Sequence, residues 1–324
     1  MAGIKEICDN IRKHKKFLIT AHTNLEGDAL GSELAFYALV KKMGKRAVIV
    51  NHDDVPANYR FLPRCGEIRL LGKGACRIDF DCMAVLDCAD LKRSGDVWKL
   101  NASGRTVLNI DHHISNSGFG DARWVDARAS SCSEMIYRIY KRLRVRIEQP
   151  EAVAMYAGMM TDTGSFRYAN TTAFTHRACA DLVRYVDVPL IYRYAYEDFS
   201  VAEAKLLVRL LPGIKFASAG KIAYFKLRRG DLKGVALSMD LGDYLLSFAR
   251  AVKGVEAAVL FKEVSGPGKG SVRINLRSRG MVDVNKAATA FGGGGHKNAA
   301  GCTLTEKIDD ISEKVVSFLR REVK

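Results

Sequence analysis

His22, Glu26 and Asp28 form an H-x-x-x-E-x-D cluster near the start of the chain, Asp111, His112 and His113 stand in one run, and Asp87 and Asp162 are single acids between and beyond them. Carboxylate oxygens and imidazole nitrogens in this mixture suit hard or borderline divalent cations. The first cluster carries little weight alone, because acids gather at helix N-termini for dipole reasons and a lone His is usually structural. What gives it weight is where the groups fall. Phe17-Leu18-Ile19-Thr20 runs into His22, Met83-Ala84-Val85-Leu86 into Asp87, Val107-Leu108-Asn109-Ile110 into Asp111, and the helical run Ala152 to Met160 into Asp162. Charges collected at four element ends would be costly without a neutralising charge, so a pair of divalent cations is expected among them.

The elements that must position these groups follow from periodicity. From Ile4 to about Arg184, short apolar runs alternate with amphipathic helices, the pattern of a parallel sheet covered on both faces. In such a sheet, ligands bind at the C-terminal strand ends. Asp28 opens a helix with Leu30, Leu34, Tyr37, Ala38 and Val40 on one side, ending near Gly44, and Ala47 to Val50 is the next strand. The stretch up to the Asp87 strand, with Pro56, Pro63 and glycines at 66, 72 and 74, reads as loops with short elements. A polar, glycine-bearing loop follows His113; Ser130 and Ser131 then cap a helix through Leu143, Pro150 starts the helix that delivers Asp162, and Thr171 and Thr172 cap one running to about Tyr185.

Beyond a helical connection over 190–211 and Pro212-Gly213 the texture changes. Ile222 to Phe225 and Val255 to Phe261 read as strands, and Val272 to Arg277 alternates cleanly, placing Arg273, Asn275 and Arg277 on one face. Asp283 begins a helix to Phe291, followed by four glycines and His296. Glycine lets backbone N–H groups approach an anion closely, so with Arg277 and Arg279 nearby the run reads as a phosphate or nucleotide pocket. The expected fold class is α/β, with a parallel-sheet domain over 1–189, a helical linker over 190–211 and a smaller α/β domain over 212–324.

Composition excludes several alternatives. Eight cysteines without a C-x-x-C pair suggest neither a zinc ribbon nor a disulfide framework, and Cys88 beside Asp87 reads as a packing thiol. No run approaches a membrane span and no cleavable leader is visible, so a cytoplasmic protein without membrane association is expected. Lys and Arg number 51 against 36 Asp and Glu, a net charge of +15 that suits anionic partners such as nucleotides and RNA as well as an ordinary basic surface.

Five ordered motifs together resemble the DHH phosphoesterases, and within them the bifunctional oligoribonuclease and adenosine bisphosphate phosphatase group, often called nanoRNases. The motifs are His22-Thr23-Asn24-Leu25-Glu26-Gly27-Asp28, Asp87-Cys88, Asp111-His112-His113, Thr161-Asp162-Thr163-Gly164, and a C-terminal set of Leu276-Arg277-Ser278-Arg279 with Gly292 to His296 and Ala299-Ala300-Gly301. The resemblance implies a parallel-sheet DHH domain and a DHHA1-type substrate domain with the active site in the cleft between them. It implies that His22, Glu26 and Asp87 hold one manganese and Asp28, Asp87, His112 and Asp162 a second, with Asp87 bridging; magnesium or cobalt are alternatives. Two cations about 3.5–4 Å apart can share a hydroxide and stabilise both oxygens of an in-line displacement at phosphorus. His113 then falls to the phosphoryl oxygen and Asp111 to orienting the imidazoles. Arg277, Ser278, Arg279, Gly293, Gly294, Gly295 and His296 fall to the substrate. Short RNA and adenosine 3′,5′-bisphosphate are the implied substrates, and no protein partner is evident, although a homodimer is compatible with the sequence. Leu25-Glu26 stands where the family usually has Pro-Asp, lengthening one ligand by a methylene. That departure keeps a weakly catalytic nucleotide-binding regulator as an alternative, beside a phosphodiesterase for the linear dinucleotide derived from cyclic di-AMP.

Overall fold

Short apolar strands alternating with helices condense into two units, Met1–Asp198 and Phe199–Lys324. The computed structural model describes residues 2–72, 78–235, 241–264 and 270–323. The first unit contains α1 (Ala2–Lys13), β1 (Lys16–Thr20), α2 (Gly27–Lys42), β2 (Arg46–Asn51), β3 (Ile68–Leu70), β4 (Cys82–Leu86), β5 (Thr106–Asp111), β6 (Ala122–Val125), α3 (Cys132–Leu143), α4 (Gln149–Asp162), α5 (Ala173–Leu182) and α6 (Val188–Tyr196). Its six strands are all parallel in the order β3-β2-β1-β4-β5-β6. Phe17 and Ile19 of β1 turn into the core under α2, α3 and α4, while Leu18 joins Met83, Val85 and Val107 beneath the segment Leu91–Asn101. Burial of each such side chain contributes about 1.5–3 kcal/mol.

Two findings differ from the sequence reading. The loop after His113 contains β6, an edge strand whose Arg123 and Trp124 hide its apolar pattern. The helix opened at Asp28 is not buried on one side only: every residue of α2 from Gly27 to Val40 is buried. Glycines make this possible. A Cβ at Gly31 would lie 2.3 Å from the Ala154 carbonyl oxygen of α4, and one at Gly158 would lie 2.0 Å from Ser133 Oγ of α3. Close helix approach brings the first turn of α2, with Asp28, beside the last turn of α4, with Asp162.

The second unit contains α7 (Val201–Leu210), β7 (Lys215–Ala217), β8 (Ile222–Leu227), α8 (Leu241–Ala251), β9 (Ala257–Glu263), β10 (Ser271–Ser278), α9 (Val284–Ala290), β11 (Gly294–His296), β12 (Ala299–Thr305) and α10 (Ile308–Glu322). Its sheet runs β11-β12-β10-β9-β8-β7, antiparallel except for the β8–β9 pair. Val272, Ile274 and Leu276 of β10 pack with α9 and α10, and the alternate residues Arg273, Asn275 and Arg277 occupy the opposite pleat. The single helical connection expected over 190–211 is instead two helices, α6 and α7, and the units divide between them. The glycine run expected as a loop pairs partly as the edge strand β11. Among the described residues, no helix is long and apolar enough to cross a membrane.

Candidate metal centre

The strand order reverses direction about β1 and β4, which pair directly, and the crevice beyond such a switch point is where an open parallel sheet binds ligands. His22 follows β1 and Asp87 follows β4. Asp87 leaves the strand in the left-handed region (φ 52°), a conformation costing a non-glycine residue roughly 1–2 kcal/mol, and its N–H is held by the Ile110 carbonyl at 3.0 Å. The turn aims the two carboxylate oxygens in different directions. Oδ2 lies 3.5 Å from His22 Nε2, and Oδ1 lies 3.4 Å from His112 Nε2 and 3.7 Å from His113 Nδ1. One carboxylate therefore straddles two ligand groups, His22/Glu26/Asp87 and Asp28/Asp87/His112.

The other side chains are fixed from behind. Asp28 accepts hydrogen bonds from the Cys132 and Ser133 N–H groups at 2.6 and 2.8 Å, using the free donors at the N-terminus of α3. Asp28 Oδ2 and Asp162 Oδ2 stand 3.8 and 3.7 Å from His112 Nε2. Asn170 Nδ2 donates to Asp162 Oδ2 at 3.2 Å. His22 Nδ1 meets the Thr23 carbonyl at 2.8 Å, which assigns the proton to Nδ1 and leaves Nε2 facing the cluster. Glu26 is the N-cap of α2 but makes no side-chain cap bond; its Oε1 reaches to 3.7 Å from His22 Nε2, so the longer carboxylate still enters the group. Asp111, fully buried, accepts from His113 Nδ1 at 2.7 Å and from Asn116 Nδ2 at 2.6 Å.

Electrostatics show what the arrangement lacks. Burial raises the Asp28 carboxyl, as does the Asp87 charge, and His112 only partly opposes them, leaving it at about 7. Burial and neighbouring carboxylates likewise push Asp162 well above the usual range against the pull of His112. Asp87 goes the other way: burial would raise it, but His112 and His22 hold it well below the carboxylate range. Both imidazoles gain correspondingly; burial would discharge them, yet Asp87 lifts His22 to about 9, and Asp162 with Asp87 lifts His112 well above its ordinary value. Imidazolium protons thus supply the positive charge that the acids require. His22 Nε2 and Asp87 Oδ1 are buried without a hydrogen-bond partner among the described residues, and spacings of 3.4–3.8 Å exceed hydrogen-bonding contact. Orphaned donors of O and N type converging on Asp87 fit divalent cations.

Behind the metal centre, Glu33 is completely buried and accepts from Asn51 Nδ2 at 2.8 Å, while Asn51 Oδ1 accepts from the Ala21 N–H at 3.3 Å. Burial pushes Glu33 up to about 8. This pair fixes the end of β1 just before His22. Asn51, Asn116 and Asn170 escaped sequence reasoning, because the acids they orient are distant in sequence or lie off any periodic pattern.

The residues read as substrate-binding lie on the second unit. Arg277, Ala299 and His296 are in register across β10, β12 and β11, as are Asn275, Gly301 and Gly294. Registered residues share a face, so Ala299 and Gly301 form the floor of a trough with Arg277 and Asn275 on one side and His296 on the other. Gly293 cannot carry a side chain, since a Cβ would fall 2.1 Å from the Gly301 carbonyl oxygen, and Gly295 (φ 149°) would meet that of Ala299 at 2.5 Å. Arg277 Nη2 donates to Asp243 Oδ1 of α8 at 3.0 Å, and Arg279 is exposed. Ser278 is used internally: its Oγ donates to the Val282 carbonyl at 2.6 Å and accepts the Gly280 N–H at 2.8 Å.

Comparison with known proteins agrees with this geometry. Residues 16–159 match the model of the DHH family, N-terminal domain, and residues 238–321 match the DHHA1 domain. The chain is 32% identical to the bifunctional oligoribonuclease and PAP phosphatase NrnA of Thermus thermophilus, over 94% of this chain and 89% of that protein. It is 26% identical to the protein of the same name from Bacillus subtilis, over 92% of each. An exopolyphosphatase-related protein from Bacteroides fragilis has the same fold, with a TM-score of 0.86 at 24% identity over 99% of this chain and 97% of that one.

Proposed function

Because the chain belongs to the DHH phosphoesterase family, we propose that it is a manganese-dependent phosphohydrolase that degrades short oligoribonucleotides and dephosphorylates adenosine 3′,5′-bisphosphate to AMP. The single observation that carries this reading is Asp87, whose two oxygens address separate ligand groups. His22, Glu26 and Asp87 would hold one cation, and Asp28, Asp87, His112 and Asp162 the other. Divalent cations there would supply Lewis-acid stabilisation of phosphoryl oxygens and the positive charge that makes water nucleophilic near neutral pH. His113, oriented through Nδ1 by Asp111, contacts a phosphoryl oxygen, and Asn116 locks the Asp111 carboxylate from its other side. Asp28 is kept rigid by the start of α3 and Asp162 by Asn170. On the second unit, the trough of Arg277, Asn275 and His296 receives a nucleotide remote from the scissile phosphate, with Arg279 beside it. A grip at a fixed distance favours substrates of a few nucleotides.

The direct test offers the metal-stripped protein, with added manganese, adenosine 3′,5′-bisphosphate, a short RNA dinucleotide and pyrophosphate in parallel. Hydrolysis of the first two is the expected result, and turnover of pyrophosphate alone would refute the substrate assignment. Manganese affinity, read by calorimetry, should rise with pH. His22, held at about 9, and Asp28, at about 7, must lose protons to become ligands. Affinity therefore increases from pH 6 toward 9, roughly tenfold per pH unit for each proton displaced, with proton release seen as a dependence of the apparent heat on the buffer. Glu26→Asp should alter turnover by less than about threefold, because Glu26 already reaches the group, whereas Glu26→Ala should lose at least about tenfold in manganese affinity. A large gain on Glu26→Asp would instead mark the natural residue as disabling.

A further inference from the structure

The charges around the metal centre are carboxylates and imidazoles, with one exception. We infer that Arg93 is a phosphate-binding residue of the first unit, gripping a non-bridging oxygen of the phosphoryl group and favouring a dianionic phosphomonoester over a monoanionic diester. This rests on the phosphohydrolase reading above and adds to it a residue that sequence reasoning did not single out.

After Asp87 the chain turns at Asp90, whose carboxylate accepts the Lys92 N–H at 2.9 Å, into the segment Leu91–Asn101. The Arg93 N–H donates to the Asp90 carbonyl at 2.9 Å, and the Arg93 carbonyl accepts the N–H of Thr23, the residue after His22, at 2.7 Å. Its backbone is therefore fastened between the loop that carries His22 and the loop that carries Asp87. The next residue, Ser94, is fully buried and anchors the segment through its Oγ bond to the Leu91 carbonyl at 2.7 Å. The Arg93 side chain is exposed and has no carboxylate partner among the described residues. Its charge opposes protonation of His22 and favours the thiolate of Cys88, which puts the guanidinium on the side of the metal ligands. No lysine or other arginine stands among the principal charges acting on His22, Asp28, Asp87, Asp111, His112 and Asp162.

A cation held next to imidazoles that share its sign gains nothing from them. It gains when an anion arrives, and a guanidinium offers two parallel donors to a phosphoryl group. A phosphate entering a site walled by Glu26, Asp28, Asp87 and Asp162 also needs positive charge on the side away from the cations. Because the Coulomb attraction scales with ligand charge, a terminal phosphomonoester benefits more than an internal diester.

The test compares the full-length wild type with Arg93→Ala and Arg93→Lys. Calorimetry reads manganese binding, and then the binding of inorganic phosphate to the manganese-loaded protein. The expected result is a tenfold or greater loss of phosphate affinity in Arg93→Ala, a smaller loss in Arg93→Lys, and manganese affinity within twofold of wild type in both. Steady-state rates should show kcat/KM for adenosine 3′,5′-bisphosphate falling at least tenfold, and falling further than that for a dinucleotide. Unchanged phosphate affinity, absence of phosphate binding by the wild type, or an equal loss of manganese affinity would each overturn the assignment. A wild type that binds phosphate through Arg93 but hydrolyses neither nucleotide would overturn the substrate reading and leave Arg93 as an anion site.

Discussion

Asp87→Ala should abolish hydrolysis, lowering kcat by on the order of 10³-fold or more, while circular dichroism stays that of the wild type. Asp87 is the one residue shared by both ligand groups, so its loss removes a donor from each. Manganese titration should show weakened binding at both sites, unlike Glu26→Ala, which touches one group. Buried imidazoliums stripped of their counter-charge would normally unfold a protein, but histidines can shed the proton. Burial already acts to lower His22 and His112, and Asp87 is what overrides it at His22 and, with Asp162, at His112. In the variant both should titrate at or below the ordinary imidazole range, observable by NMR. Asp87→Asn, which keeps the shape but halves the anionic oxygens, should fail nearly as completely. Turnover near wild type in either variant would disprove the metal assignment.

Gly31→Ala should destabilise the first unit by about 3–5 kcal/mol, in the upper range for single substitutions. The added methyl would sit 2.3 Å from the Ala154 carbonyl oxygen, a backbone atom that cannot rotate away, and 3.0 Å from Ser133 Oγ. Relief requires α2 and α4 to separate. Asp28 opens the one and Asp162 closes the other, so separation widens the Asp28, His112 and Asp162 group. Thermal melts and manganese titration should therefore fall together, although residue 31 is not a ligand. A contrasting control is Gly44→Ala just beyond α2, where no atom lies within 4 Å: only its left-handed backbone (φ 74°) opposes the change, and manganese affinity should stay constant.

These two substitutions mark what the sequence makes legible and what it hides. Parallel strands buried on both faces are written as continuous apolar runs, so β1, β4 and β5 stand out, and the polar group that ends each run reports a strand end. That logic brings His22, Asp87 and Asp111 together without any knowledge of helix packing. The tight crossing of α2, α3 and α4 is not legible in the same way, because Gly31 and Gly158 look like ordinary small residues until their partners are known. The asparagines are hidden for a related reason: Asn170 matters only through its contact with Asp162, and Asn51 only through Glu33 and Ala21. In the second unit the alternation of β10 is plain, whereas Gly294 and Gly295 give no side-chain signal that they pair as a strand. Ser278, placed between two arginines, is spent on a turn that the surrounding sequence does not announce.

The protons carried by His22 and His112 bear on how such an enzyme is supplied with its cations. A centre that borrows its positive charge from water before any ion arrives can be synthesised, folded and stored during metal scarcity without the internal repulsion of four crowded acids. Loading then becomes an exchange of hydrogen ions for manganese, reversible in both directions. A chelator should silence the enzyme and leave the fold intact, and returning the ion should restore activity without refolding.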